Sequence, residues 1–398
     1  MNIISNIKNK IIPEVQQTTY LVGSDLLGNL HNIEIIKKKN YDTFLLFSDK
    51  SVFKLYGKSV SHSLKKLNKP VIVSLIPAGE QSKDFKLLAK IIKPYFQNGF
   101  TRNSCFISLG GGVVTDIGGF IAAILLRGIP NINIPTTLLG QIDAAIGGKS
   151  GVNFWLSKNL MYKNMIGNIK QPKLVISDVE VLKTLPEKEI LNGLGEIVKY
   201  WVGWGKPNLR HLGRCANALS CKELLRGGGI SKKAIKTPPR WQAERSEVMT
   251  PRMVEELIKT ISICQKIKID IVKQDPYEKL GIRQKLNLGH TIGHAIEGAS
   301  KGNLSHGEAV SLGLIAAAKI SLMLKLLNYK NYKLITSTIN KLGLPTTVSG
   351  IDIDMVEKAL EMDKKGGKFV LIAGIGKLEV GVKVEKELIN KILRKIII

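Results

Sequence analysis

Six short apolar runs, separated by longer stretches with helical spacing, constrain the fold of this chain more than any other feature. The runs fall between about residues 19 and 178 and read TYLVG, TFLLFSD, KPVIVSLIP, SCFISLG, NINIP and KLVISD. One of the intervening stretches is SKDFKLLAKIIKPYFQNG. Strands that alternate with helices predict βαβ units and a mostly parallel sheet.

From about residue 181 the sequence changes to long helical periodicity. Two examples are VEELIKTISICQKIKIDIV and SHGEAVSLGLIAAAKISLMLKLL. We therefore predict two domains, an α/β domain over residues 1–180 and an all-α domain over residues 181–398. A chain of 398 residues with 44% hydrophobic content can bury the cores that this requires. The cleft between the two domains is the expected site.

Residues 203–252 do not fit this pattern. They hold six of the ten arginines and two of the four tryptophans, and most of the segment lacks helical or strand periodicity. Two interpretations stay open. The segment is either a surface insertion or the translation of an intervening or frame-shifted stretch.

The charge balance is strongly basic, with 59 Lys and Arg against 32 Asp and Glu and a net charge of +27. Because the lysines are spread along the whole chain, they are typical of a solvated surface, and no nucleic-acid-binding motif accompanies them. No run is long enough for a membrane span, and no secretory signal is evident at the start. Four cysteines without CxxC spacing suit a reducing compartment. We expect a cytoplasmic protein with no nucleic-acid or membrane partner.

Two glycine-containing segments are candidates for phosphate binding. SCFISLGGGVVTDIGGFIAAILL, residues 104–126, is a strand, three glycines and a helix start, where backbone N–H groups can approach a diphosphate. NINIPTTLLGQIDAAIGGKSGVN, residues 131–153, places two threonines and then a Gly-Gly-Lys after a strand. Each segment could equally be an ordinary turn between a strand and a helix.

Three of the six histidines lie within seventeen residues. His290 and His294 stand four apart in LNLGHTIGHAIE, on one helical face, and His306 follows in SHGEAVSLG. Glu196 in NGLGEIVKYW has apolar or small neighbours, and a buried carboxylate requires a cation. Two histidines and a glutamate suit a catalytic zinc, and the third histidine would serve acid/base chemistry. The spacing does not say which histidine is which, and core histidines are the alternative.

Together and in this order, these segments resemble the dehydroquinate synthases, the NAD- and metal-dependent cyclases of the shikimate pathway. The resemblance runs from about Tyr20 to about Val380. It rests on PAGEQSK, LGGGVVTDIGGF, RGIP, PTTLLGQIDAAIGGKSGVN, KTLPEKE, GLGEIVKY, RQKLNLGHTIGHAIE, SHGEAVSLG and MDKKGGK. It implies a Rossmann-like NAD-binding domain followed by an all-α metal-binding domain, with zinc or cobalt as the metal. It also implies a homodimer that converts 3-deoxy-D-arabino-heptulosonate 7-phosphate to 3-dehydroquinate and phosphate.

The resemblance also assigns roles to individual residues. The implied metal ligands are Glu196, His290 and His306. The implied catalytic residues are His294, Lys149, Arg127, Asn287 and Lys199. The implied substrate-binding residues are Asp143, Lys268, Arg283, Asn159 and Asn164. The implied NAD-binding residues are Asp49, Glu80, Lys83, Gly111, Gly112, Asp116, Thr136, Thr137, Lys149, Lys158 and Lys163.

The sequence departs from the family in four places. A Lys-Asn pair occurs twice, as 158/159 and as 163/164, and only one pair can be the functional one. Ser51 replaces the usual asparagine, and the stretch from Lys268 to Arg283 is one residue longer than expected. Residues 203–252 replace a shorter helical linker.

Three alternatives stay open from the sequence. A polyol dehydrogenase of the same broad fold would also combine NAD with a histidine-containing metal site, but Lys149, Arg283 and Asn287 favour a phosphorylated acid as substrate. Related cyclases that act on other sugar phosphates share most of the motifs. A degraded, inactive family member is the third alternative, because of the duplicated Lys-Asn pair and the atypical segment.

Overall fold

The structure is a computed structural model that describes residues 17–157, 160–219, 250–361 and 368–398. Three features of the sequence analysis lie outside the described residues. They are the Lys158–Asn159 pair, residues 220–249 of the atypical segment, and residues 362–367, which are most of the MDKKGGK motif.

All six predicted strands are present, and they form one parallel sheet. The strands among the described residues are β1 (Thr19–Gly23), β2 (Phe44–Asp49), β3 (Val71–Ile76), β4 (Cys105–Gly110), β5 (Asn131–Pro135), β6 (Lys149–Ser157), β7 (Leu160–Ile169), β8 (Leu174–Asp178), β9 (Lys368–Gly374) and β10 (Lys377–Lys383). The sheet has the order β1-β8-β5-β4-β2-β3, and every neighbouring pair in it is parallel. The predicted α/β architecture is confirmed.

Strand β2, which lies between β4 and β3, shows why these runs are apolar throughout. Leu45 and Phe47 lie in a core on one side of the sheet, and Phe44 and Leu46 lie in the core on the other side. Side chains alternate along a strand, and the helices cover both faces of this sheet. Both sets of positions must therefore be apolar.

The chain after the sheet is mostly helical, as predicted. The α-helices are α1 (Glu34–Lys38), α2 (Lys50–Val52), α3 (Lys58–Lys65), α4 (Leu88–Asn98), α5 (Gly112–Ile124), α6 (Glu187–Trp204), α7 (Leu209–Ala218), α8 (Pro251–Gln274), α9 (His290–Ala299), α10 (His306–Met323), α11 (Tyr329–Lys341), α12 (Ile353–Glu361) and α13 (Lys386–Ile396). None of the described helices is long and apolar enough to cross a membrane.

The helical part also contains one feature that the sequence analysis did not predict, the antiparallel hairpin of β9 and β10. Gly376 supplies the turn with a φ of +84°, which a glycine adopts without strain. Ile372 of β9 donates its N–H to the hydroxyl of Ser321 in α10 at 2.9 Å. This hydrogen bond ties the hairpin to the helices.

The two described ends of the atypical segment are regular helices. Helix α6 continues through Trp204, α7 buries Leu212 and Cys215, and Leu219 directly after α7 is also buried. These buried positions have helical spacing, a signal that the sequence analysis did not single out. Arg214 of α7 pairs with Glu256 of α8, and this ion pair joins the two helices.

Two glycines allow helix α6 to contact the start of α10 backbone to backbone. A Cβ atom at Gly195 would overlap the carbonyl oxygen of Gly307, and one at Gly307 would overlap that of Asn192. Asn192 accepts the N–H of Gly307 at 2.7 Å through its side-chain oxygen. This close approach places Glu196 beside His306.

We expect Gly195→Ala to destabilise the protein by about 1–3 kcal/mol or more, because the new methyl group has no room between the two helices. Gly213→Ala in α7 is the matched control, since a Cβ atom there meets nothing within 4 Å. That change should be neutral or stabilise the helix by up to about 1 kcal/mol. Urea denaturation of both variants measures the difference, and equal stability of the two would contradict the packing described.

Candidate functional site

A cavity of about 940 Å³ brings together many of the predicted residues. Its walls include six predicted residues, Asp116, Asp143, Lys149, Asn164, Lys268 and Arg283. Tyr277 and Lys279 also line it, and the sequence analysis missed both. With four basic side chains in its walls, the cavity suits an anionic ligand that carries more than one charged group.

Arg283 has an unused hydrogen-bond donor in this cavity wall. The residue is 3% exposed, and one terminal guanidinium nitrogen donates to the carbonyl of Pro276 at 3.2 Å. Its Nε atom is buried and has no hydrogen-bond partner among the described residues. A buried donor without a partner is costly, and a ligand carboxylate would satisfy it.

The glycine turn lies at the carboxyl edge of the sheet, against the threonine pair. Gly111 is the N-cap of α5, and a Cβ atom there would lie 2.9 Å from the side chain of Thr137. Thr136 donates its N–H to the carbonyl of Gly110 at 3.0 Å. The N-terminus of α5 therefore lies at the carboxyl edge of the sheet. In open α/β sheets, ligands bind at this edge. This arrangement fits the diphosphate of a dinucleotide.

Two polar contacts surround the glycine turn. Lys83 and Asp116 form a salt bridge of 2.5 Å, and Lys83 is 4% exposed. Burial raises the pKa of Asp116, although Lys83 opposes the shift. Glu80 accepts a hydrogen bond of 2.8 Å from the amide of Asn153, a buried residue that the sequence analysis missed.

The carboxylate of Asp49 at the end of β2 serves as a helix cap. It accepts the backbone N–H groups of Ser51 and Val52, each at 2.9 Å. Asp49 thus lies at the same edge of the sheet as the glycine turn, with one of its oxygens engaged by α2.

The predicted metal ligands meet between helices α6, α9 and α10. Glu196 Oε1 lies 3.2 Å from Nε2 of His290 and 3.2 Å from Nε2 of His306. His290 donates Nδ1–H to the carbonyl of Leu288 at 3.0 Å, because a carbonyl can only accept. This hydrogen bond leaves Nε2 of His290 as a lone-pair donor toward Glu196. The donor set fits a divalent transition metal.

His294 lies in the same cluster. The side chains of His290, His294 and His306 each offer a ligand atom, and these atoms all lie within 4.8 Å of one another. The geometry therefore contains two overlapping donor sets. One consists of the three histidines, and the other consists of Glu196 with His290 and His306.

The pKa values of the charged groups in this cluster are strongly shifted. Burial would raise the pKa of Glu196, but Lys199 and His290 outweigh it and hold the pKa well below its usual range. Burial lowers the pKa of His306, but hydrogen bonds to Glu196 and Glu297 raise it to about 10. The carboxylates therefore attract positive charge to this place, and a metal ion would replace a proton there.

Asp143 connects the cavity wall to the metal-binding cluster. Its carboxylate accepts from Lys268 at 2.8 Å and from the hydroxyl of Tyr200 at 2.6 Å. Lys199 lies 3.8 Å from Asp143 and also pairs with Glu196. Burial would raise the pKa of Asp143, but Lys268 and Lys199 hold it below its usual range. Tyr200 was missed because an aromatic residue in an apolar helix resembles a core residue.

The remaining predicted residues lie in different places. Lys163 pairs with Glu297 at 3.6 Å, and Asn287 ends the turn that precedes α9. Lys149 pairs with Glu278, which the sequence analysis did not single out. Arg127 is exposed, follows the far end of α5, and has a φ of +66°. A helix of 13 residues is about 20 Å long, so Arg127 is remote from the glycine turn.

Comparisons with protein-family models and with individual proteins indicate the same family. Residues 73–192 match the model of the 3-dehydroquinate synthase N-terminal domain, and residues 223–366 match that of the 3-dehydroquinate synthase C-terminal domain. The 3-dehydroquinate synthase of Rippkaea orientalis is 38% identical over 357 residues, which is 88% of each chain. That of Nostoc punctiforme is 35% identical over 400 residues, 98% of this chain and 99% of its own.

A solved structure supports the same fold. It is a 2-deoxy-scyllo-inosose synthase complexed with carbaglucose-6-phosphate, NAD⁺ and Co²⁺, with a TM-score of 0.75 and 25% identity. The match covers 94% of this chain and 96% of that one.

The two donor sets can be separated by measuring zinc affinity. We expect His290→Ala to weaken zinc binding by more than about 100-fold, because it removes a ligand held by Glu196 and Leu288. We expect His294→Ala to bind zinc nearly as tightly as the unaltered protein. Competition of each purified variant with a chromogenic chelator measures this. Equal losses in the two variants would show that the three histidines form the ligand set.

Proposed function

The chain belongs to the 3-dehydroquinate synthase family, and from this we propose that it converts 3-deoxy-D-arabino-heptulosonate 7-phosphate to 3-dehydroquinate and phosphate. It is a phosphate-eliminating carbon–oxygen lyase of the shikimate pathway, with NAD and a divalent metal, zinc or cobalt, as cofactors.

One observation carries this proposal, the contact of Lys199 with both Asp143 and Glu196. Through it the cationic cavity and the metal-binding cluster are parts of one site. The cavity accepts an anionic sugar acid, and the cluster accepts a metal beside it. Asp116 links the cavity wall to the helix that begins at the glycine turn, where NAD would bind.

NAD at the glycine turn would supply reversible oxidation of a substrate hydroxyl, and a divalent metal held by Glu196, His290 and His306 would supply Lewis acidity. Arg283 and Lys268 are proposed to hold the carboxylate, and Lys149 with Asn164 the phosphate. His294 is proposed to move protons next to the metal, in the role that the resemblance implies. The residues thus hold a flexible anion in a reactive conformation and exclude water.

Sequence identity favours this substrate over those of related cyclases. The chain is 38% identical to a 3-dehydroquinate synthase and 25% identical to the 2-deoxy-scyllo-inosose synthase. The match to the family's C-terminal domain begins at residue 223, so it includes part of residues 203–252. Together with the intact donor set, this supports an active enzyme rather than a degraded one.

We expect the purified protein to release phosphate from 3-deoxy-D-arabino-heptulosonate 7-phosphate with zinc or cobalt and with NAD far below the substrate concentration. NAD is regenerated in each turnover, so no net NADH should accumulate, and a chelator should abolish the release. A phosphate assay with parallel absorbance at 340 nm measures both. Stoichiometric NADH without phosphate would instead indicate a dehydrogenase.

We further propose a cytoplasmic homodimer. The buried cysteines Cys105 and Cys264 form no disulfide, which suits a reducing compartment. Strands β6 and β7 pair antiparallel in a separate β6–β7 hairpin. On it, Leu156 is 62% exposed and Met165 is 60% exposed, and large exposed apolar side chains favour an interface. Arg127, which lies far from its own glycine turn, could then reach the site of a second copy.

Light scattering should therefore give about twice the chain mass of 43.8 kDa. Leu156→Lys should shift the mass toward that of one chain, since a buried charge opposes association. Met355→Lys, a change at an exposed apolar residue of α12, is the control and should leave the mass unchanged. A single-chain mass for the unaltered protein would contradict the dimer.

A further inference from the structure

The carboxylate of Glu297, in the last turn of α9, joins two groups that come from different parts of the fold. Its Oε2 atom lies 3.1 Å from Nδ1 of His306, the first residue of α10. Its Oε1 atom lies 3.6 Å from Nζ of Lys163, on strand β7. The side chain of Glu297 is 23% exposed.

The helix that carries Glu297 gives no reason for an acid at this position. The C-terminal end of a helix has a partial negative charge, so a carboxylate in the last turn is unfavourable. The contacts with His306 and Lys163 offset this, since both place a donor against the carboxylate. The two partners, His306 and Lys163, therefore explain why an acidic residue stands at position 297.

The contact with His306 fixes the orientation and tautomer of its ring. An ionised carboxylate only accepts, so Nδ1 carries the hydrogen that Glu297 receives. Nε2, the nitrogen that lies 3.2 Å from Glu196, is then the one that would offer its lone pair to a metal ion once the ion replaces the proton there. Glu297 contacts the side of the ring that faces away from Glu196, so it orients the ligand from behind. Carboxylate–histidine pairs of this kind commonly tune metal sites.

The contact with Lys163 connects this orientation to the β6–β7 hairpin. The neighbouring Asn164 lines the cavity and donates its N–H to the side chain of Asn153 at 3.0 Å. Asn153 in turn donates to Glu80 beside the glycine turn. Lys163 thus connects strand β7 to Glu297, which contacts the predicted metal ligand His306.

We propose that Glu297 is a positioning residue for the metal ligand His306, and that Lys163 acts through Glu297 so that the hairpin tunes metal affinity. The inference deepens the proposed function, because it takes the three-helix cluster as the metal site. It requires no turnover for its test, since zinc binding is measured in the absence of substrate.

The first experiment measures zinc affinity of the metal-free protein by chelator competition. We expect Glu297→Ala to weaken binding by about 10- to 100-fold. Glu297→Gln keeps the volume and an acceptor oxygen, so its loss should be smaller. Glu255→Ala, at an exposed position of α8, is the control and should leave affinity unchanged. Thermal denaturation of the metal-free proteins checks that the variants fold alike.

The second experiment tests the role of Lys163. Lys163→Met should weaken zinc binding, and Lys163→Arg should restore most of it because the charge is retained. Lys259→Met removes an exposed ion pair elsewhere and should have no effect. In the Glu297→Ala background, Lys163→Met should cause no further loss, because its partner is gone.

The outcomes separate this inference from the proposed function. Tight zinc binding by the unaltered protein, with Glu297→Ala equally tight, would overturn the positioning role and leave the proposed function intact. Additive losses from Lys163→Met and Glu297→Ala would overturn the coupling through Glu297. An unaltered protein that binds no zinc would remove the metal from the proposed function and overturn this inference with it.

Discussion

The burial of a single carboxylate, that of Glu196, is the constraint on which the rest of the site depends. Glu196 is 1% exposed on a helix whose neighbouring positions are buried. An ionised group in that place requires positive charge around it. Lys199 supplies one cation from the next turn of the same helix, and the histidines of α9 and α10 supply the other side. The backbone contact between Gly195 and Gly307 makes this approach possible, so helix packing and metal chemistry rest on the same residues.

The charges then continue from the metal-binding cluster into the cavity. Lys199 is shared between Glu196 and Asp143, and Asp143 is shared with Lys268. In a buried network of this kind each charge is compensated by its neighbours, and removing one leaves another unpaired. Stability and ligand binding are therefore coupled. A substrate anion held beside Lys268 and Arg283, as proposed, would change the balance of a network that reaches the predicted metal ligands.

The atypical segment enters the fold through this same region. Its described ends are α7 and the start of α8, which are joined by the Arg214–Glu256 ion pair. Helix α8 carries Lys268, and its Gln265 donates to the carbonyl of Gln141 at 2.8 Å. The segment is thus bounded by helices that pack into the core beside the site. Although the composition of the segment is unusual, both of its described ends pack regularly. This packing is compatible with a functional enzyme.

The sequence by itself determined the sheet and the helical second half, and it predicted the candidate metal donors. Strand runs such as FLLFSD and CFISLG are apolar at every position because both faces are covered, and this signal is local. The histidine spacing is also local, since it places His290 and His294 on one face of α9. Only the tertiary structure brought Glu297 behind His306, Tyr200 against Asp143, and Lys163 across the cleft. It also separated Arg127 from the glycine turn. These contacts join residues far apart along the chain, and their geometry depends on how helices and hairpin pack, which no spacing within one segment encodes.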